Sequence, residues 1–170
     1  MILKILGANQ KVNSFIDTEI WSFSQKIPKK KRFSSKKNYE KALLLHKNAH
    51  SFLEKQIQKN QILMTFHQFA EIYHVLGFRG KKMSMSWLQN FCSSLLTSRF
   101  IIWFEINRNH LSKSLKLSIE SSIHIWDFLC IVPLLDEVDI LYSCDKHFLN
   151  PSIQSLGPKI VNPLDDWIVL

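Results

Sequence analysis

Cysteine is scarce in this sequence, and no stretch of it stays hydrophobic for long. Cys92, Cys130 and Cys144 are odd in number, form no CxxC pair and stand among apolar residues. They read as buried, reduced thiols rather than as a disulfide framework or zinc ligands. No apolar run approaches the roughly 18 residues of a membrane span, and the opening MILKIL gives way to polar GANQK too soon for a signal-peptide core. The expectation is a soluble, cytoplasmic chain with no membrane partner. Internal repeats and interdomain linkers are also absent. With 170 residues, 46% of them hydrophobic, the chain is long enough to bury a core unaided, and one domain over residues 1–170 is expected, with a short N-terminal extension at 1–11.

Negative charge is the next scarcity: 14 Asp and Glu stand against 22 Lys and Arg, a net charge of +8. A basic surface favours a polyanionic partner without identifying one. It gains meaning only if the few acids cluster, because a small acidic pocket within a basic surface suits a metal-dependent enzyme acting on nucleic acid. The cations themselves cluster in KIPKKKRFSSKK, residues 26–37, where Pro28 and a Ser pair argue for a mobile loop. Lys29, Lys30, Lys31, Arg32, Lys36 and Lys37 are either phosphate contacts or an ordinary solvated run, and KKKR also matches a nuclear-import signal.

Short apolar stretches at about 14–17, 61–65, 100–105, 140–143 and 160–161 alternate with amphipathic segments. That alternation is the signature of an α/β fold with a mostly parallel sheet of four to five strands flanked by helices. FIIWF at 100–104, continuous and rich in branched and aromatic side chains, fits a central strand. Helical patterns cover about Tyr39–Lys59 with Asn38 as a cap, His67–Leu76, Met85–Ser98, Asn109–Ser118 and a segment opening near Trp126. In that last segment Pro133 should kink or shorten the helix. His46 and His50 stand four apart but lack the Glu of a HExxH motif, so they read as a polar helix face.

Four acids occupy positions of interest. Asp17 ends the first strand and, taken alone, reads as a helix cap. Glu71 lies inside apolar FAEIYHVL, where it either reaches solvent along a thin polar edge or meets a cation or metal. Asp127 opens a late helix, and Asp145 follows the fourth strand eighteen residues later. In a parallel sheet, strand ends and helix starts share one rim, so Asp127 and Asp145 can meet there.

In order, IDT (Ile16 to Thr18), FAEIYHVL (Phe69 to Leu76), IHIWDFL (Ile123 to Leu129) and DILYSCDKHF (Asp139 to Phe148) resemble the PIN-domain ribonucleases, which include VapC-type toxins of toxin–antitoxin systems. The resemblance spans most of the chain. It implies a PIN-like three-layer fold and a metal-dependent endoribonuclease, in which Asp17, Glu71, Asp127 and Asp145 hold Mg²⁺ or Mn²⁺ and are catalytic. It further implies RNA as substrate, with Lys29, Lys30, Lys31, Arg32, Lys36 and Lys37 contacting it, an antitoxin protein as partner, and a homodimer. Departures from the family pattern are Glu19 for Asn, Ser143 for Thr and His147 for a further Asp. Carboxylate ligands without His or Cys independently favour the hard ions Mg²⁺ and Mn²⁺ over Zn²⁺. The alternative function is a catalytically weak or inactive PIN-like module that binds RNA or protein. A third reading scatters the acids over the surface of an unrelated α/β protein.

Overall fold

Apolar runs that lack polar alternation become strands covered on both faces, and two such runs form the middle of the structure. The computed structural model describes residues 11–169, so the expected extension at 1–11 falls outside the described residues except for Lys11. The strands are β1 (Asn13–Ile16), β2 (Gln61–Thr65), β3 (Ile101–Phe104), β4 (Ile140–Tyr142) and β5 (Lys159–Val161). They form one sheet in the order β3-β2-β1-β4-β5, every neighbouring pair parallel.

The helices are α1 (Thr18–Gln25), α2 (Lys36–Lys59), α3 (Phe66–Phe78), α4 (Met85–Thr97), α5 (Arg108–Ser121), α6 (Ile125–Ile131) and α7 (Pro151–Gln154). Alternate strand residues face opposite sides. Ile16, Ile62 and Met64 pack with Trp21, Leu53, Ile72 and Leu88 under α1 to α4, while Phe15, Leu63 and Leu141 pack with Phe128, Ile131 and Ile153 under α6 and α7. Helix, sheet and helix make three layers. Cys92, Cys130 and Cys144 are free and buried within them, and no helix among the described residues is long and apolar enough to cross a membrane.

Three local expectations need correction. FIIWF supplies an edge strand, not a central one: among the described residues β3 pairs only with β2, Ile102 is 40% exposed, and Trp103 stacks on Phe66 and meets the edge of Phe69. Aromatic cover thus makes an edge strand as apolar in sequence as an inner one. Residues 26–37 are not a loop throughout, because Lys30–Arg32 form a 3₁₀ turn and Lys36 and Lys37 open α2. The cap of α2 is Ser35, whose Oγ accepts from the Asn38 N–H at 3.1 Å, rather than Asn38. Pro133 shortens its helix: α6 stops at Ile131 and Pro133 falls in a 3₁₀ turn, Val132–Leu134.

The carboxyl end of β1 is held from beneath. The Ile16 carbonyl accepts from the Trp21 indole N–H at 3.0 Å and from the fully buried Gln68 side chain at 2.6 Å. These bonds pin the strand end to α1 and α3, one residue before Asp17. Trp21→Ala removes a buried ring and one of these donors. It should lower unfolding free energy by about 3–5 kcal/mol, read as a shifted urea midpoint with an unchanged slope.

Candidate active site

β1 has β2 on one side and β4 on the other, and the chain leaves β1 for one helical layer while it reaches β4 from the opposite layer. A crevice opens at such a switch point beyond the carboxyl ends of the strands. Asp17, Glu71, Asp127 and Asp145 all line one cleft there, of about 350 Å³. The scattered-acid reading therefore does not describe this fold.

Each acid arrives from a different segment. Asp17 follows β1 and occupies the cap position of α1, yet its side chain caps nothing. Its Oδ2 instead accepts from the Ser143 hydroxyl at 2.6 Å, so the simple cap reading fails for this residue. The same Ser143 oxygen accepts from the Asp145 N–H at 3.0 Å, coupling the turn after β4 to the turn after β1. Ser143 is wholly buried, which leaves its hydroxyl no competing water. Asp145 uses Oδ1 to accept from the His147 N–H at 2.9 Å. Glu71, one face of α3, accepts from the Thr18 hydroxyl at 2.7 Å, and the Cys130 thiol approaches the same oxygen at 3.7 Å. Asp127 lies in the first turn of α6.

His147 stands between two of the acids, its Nδ1 3.4 Å from Asp145 and 3.8 Å from Asp127. Glu19, Arg79, His124 and Trp126 complete the lining with Thr18, and Arg79 faces Glu19 at 3.8 Å. Of these, Thr18 and Trp126 sit beside predicted acids in sequence and could have been found by that adjacency. Arg79 carries no local signal, because only the end of α3 brings it to the rim.

Burial and repulsion from neighbouring carboxylates disfavour the charged forms of Asp17, Asp127 and Glu19 in this cleft. Burial raises the Asp17 carboxyl well above its usual range, against the Ser143 hydrogen bond and with help from Asp127, Glu19 and Glu71. Burial, then Asp145 and Glu71, push Asp127 up to about 7, with His147 opposing. Glu19 is also raised, chiefly by burial, with Arg79 opposing. A cleft of this kind gains from any cation that enters it.

The six cations of the basic segment are not gathered in this cleft. Lys29 and Arg32 line a neighbouring cavity, whereas Lys30, Lys31, Lys36 and Lys37 point to solvent, Lys36 pairing with Glu40. His46 and His50 face each other on α2, but His46 is bonded to the Phe23 carbonyl and His50 is paired with Glu54.

Neither protein-family models nor curated proteins match the sequence. Solved structures do. VapC20 of Mycobacterium tuberculosis, a sarcin–ricin-loop-cleaving toxin, aligns over 88% of this chain and 99% of its own, with 11% identity and a TM-score of 0.59. The fold is PIN-like. VapBC2 of Rickettsia felis, solved with a promoter DNA fragment, aligns over 89% of this chain and 98% of its own, with 16% identity and a TM-score of 0.54. At these identities the likeness establishes the PIN-like fold, and the site rests on the geometry above.

The raised carboxyls tie stability to pH. The folded protein holds the Asp127 proton up to about pH 7, whereas the unfolded chain releases it near roughly pH 3.9. The native state thus binds more protons across that window, and metal-free stability falls as pH rises through it, then levels off. Asp127→Asn should flatten that slope and make the metal-free protein more stable than the parent above pH 7 by about 1–3 kcal/mol, measured by urea unfolding at a series of pH values.

Proposed function

We propose that the cleft is the centre of a divalent-metal-dependent endoribonuclease that hydrolyses RNA phosphodiester bonds and acts as the toxin of a toxin–antitoxin pair. The observation that carries this reading is the meeting of Asp17, Glu71, Asp127 and Asp145 from four separate segments in one desolvated cleft. The PIN-like fold, shared with a toxin that cleaves the sarcin–ricin loop and with a toxin–antitoxin complex, supports it. An antitoxin partner and a homodimer belong to the same proposal.

The donor set fits Mg²⁺ or Mn²⁺. Its donors are carboxylate oxygens held at raised pKa by burial and repulsion, and hard ions prefer such oxygens. Among the described residues no three His, Cys, Asp or Glu side chains are gathered closely enough to hold a metal ion, so on this reading Asp17, Asp127 and Asp145 would hold an ion partly through water rather than as a direct three-carboxylate set. When bound, such an ion neutralises charge and polarises water and phosphate oxygens.

The chain's own groups supply the positioning. Ser143 fixes the Asp17 carboxylate and, through the Asp145 N–H, the turn that carries Asp145. Thr18 fixes one oxygen of Glu71, leaving the other to orient the attacking water. Asp127 holds a proton up to about pH 7, so its release accompanies charging of the site. Trp126 and His124 form part of the cleft wall.

His147 favours a second reading, a binding module without cleavage, because its ring lies within 4 Å of two of the acids and competes with a metal ion for them. One experiment separates the two. Purified protein with Mn²⁺ should cut RNA, EDTA should stop it, and Asp17→Asn or Asp145→Asn should reduce the rate at least about 100-fold with the far-ultraviolet circular dichroism unchanged. Salt-sensitive RNA binding without any metal-dependent cutting would establish the binding module instead.

A further inference from the structure

A second cavity, of about 450 Å³, adjoins the acidic cleft and shares Glu19 and Arg79 with it as a common wall. Its floor is apolar, made by Phe23 of α1, Leu45 of α2 and Val75 of α3. Its rim is cationic. Lys26 reaches across to the carbonyls of Val75 and Arg79 at 2.7 and 2.8 Å, and Lys81 reaches to the carbonyl of Ile27 at 2.7 Å. These two links tie α1 and the segment after it to the end of α3, so the cavity has fixed walls. Lys29 and Arg32 also line it, both exposed to solvent.

Five cations therefore surround the cavity against one carboxylate, Glu19, which is already faced by Arg79. The crowding is physical: burial and then the nearby Lys29 and Arg32 disfavour the charged form of Lys81. An apolar slot under a cationic rim suits a ligand with a flat, weakly polar body and an anionic attachment. A nucleotide within a strand has that form, with a base that gains from burial against apolar and aromatic groups and a phosphate that gains from Lys and Arg. The shared wall supplies the direction, because a strand whose phosphate lies over the four acids meets Arg79 next.

We propose that this cavity is the subsite for an RNA nucleotide adjacent to the scissile phosphate. Its base enters the slot between Phe23, Leu45 and Val75, and its phosphate lies against Arg79 and the lysine rim. The proposal rests on the nuclease reading for its register, since the acidic cleft sets which phosphate is cut. It also gives a purpose to Lys29 and Arg32 that Lys30, Lys31, Lys36 and Lys37 do not share.

Binding can be read without cleavage, in EDTA, by fluorescence anisotropy of a labelled single-stranded RNA octamer on the full chain. A series of octamers carries one abasic position moved along the strand. The native protein should lose about tenfold in affinity at one abasic position and little at the others. Ala42→Trp, which fills the slot from α2, should abolish that position dependence, while Arg32→Glu should weaken every octamer alike.

A flat abasic series with the native protein would overturn the proposal, whether or not the variants fold. So would a folded Ala42→Trp protein that keeps the native pattern. Tight binding of an acidic amphipathic peptide at the cavity, with a flat RNA series, would assign it to a protein partner instead. Position-dependent binding without cleavage under any divalent ion would uphold the subsite and reject the nuclease, whereas cleavage with a flat series would do the reverse.

Discussion

The Ser143 hydroxyl is the contact on which the site depends. It donates to Asp17 at 2.6 Å and accepts from the Asp145 N–H at 3.0 Å, so one buried oxygen fixes both acids that follow the central strands. A hydroxyl suits this place because it gives and receives at once, and its full burial makes both bonds obligatory. Glu71 is fixed in a parallel way by Thr18. The acidic cleft is thus built from carboxylates that the protein orients with neutral groups, leaving their charge uncompensated.

That choice has an electrostatic consequence. Carboxyls crowded together away from water cannot all ionise at ordinary cost, and the raised Asp17, Asp127 and Glu19 carboxyls express this. The nearby basic side chains, Arg79 and His147, stand at the edges, each more than 3 Å from its partner. The fold therefore carries a local instability at neutral pH that a divalent ion would relieve. The surrounding basic surface and the cationic cavity next door give a polyanion reason to approach a cleft that would otherwise repel it.

Much of this was legible in the chain. Strand, helix and acid recur in a fixed order, and Asp17, Asp127 and Asp145 are found because residues at strand ends and helix starts share a rim in any parallel sheet. Glu71 stood out because a carboxylate in FAEIYHVL has few places to go. Other features were hidden for physical reasons. FIIWF has the composition of an inner strand because Phe66 and Phe69 cover its outer flank. Ser35 and Asn38 are equally good caps in sequence, and only the backbone shows that Ser35 has the role. Arg79 and the neighbouring cavity depend on how α1, α2 and α3 converge, which no local pattern records.

On the proposed nuclease reading the raised carboxyls receive a divalent ion, and calorimetric titration of the metal-free chain with Mn²⁺ tests this most directly. Repeating the titration at pH 7 in buffers of different ionisation enthalpy counts the protons released on binding. The account predicts one-site or two-site binding with net proton release at pH 7 that shrinks as the pH is raised above it, because Asp127 must shed its proton to bind. Absence of Mn²⁺ binding, or binding with no proton release that is unchanged by Asp127→Asn, would contradict it.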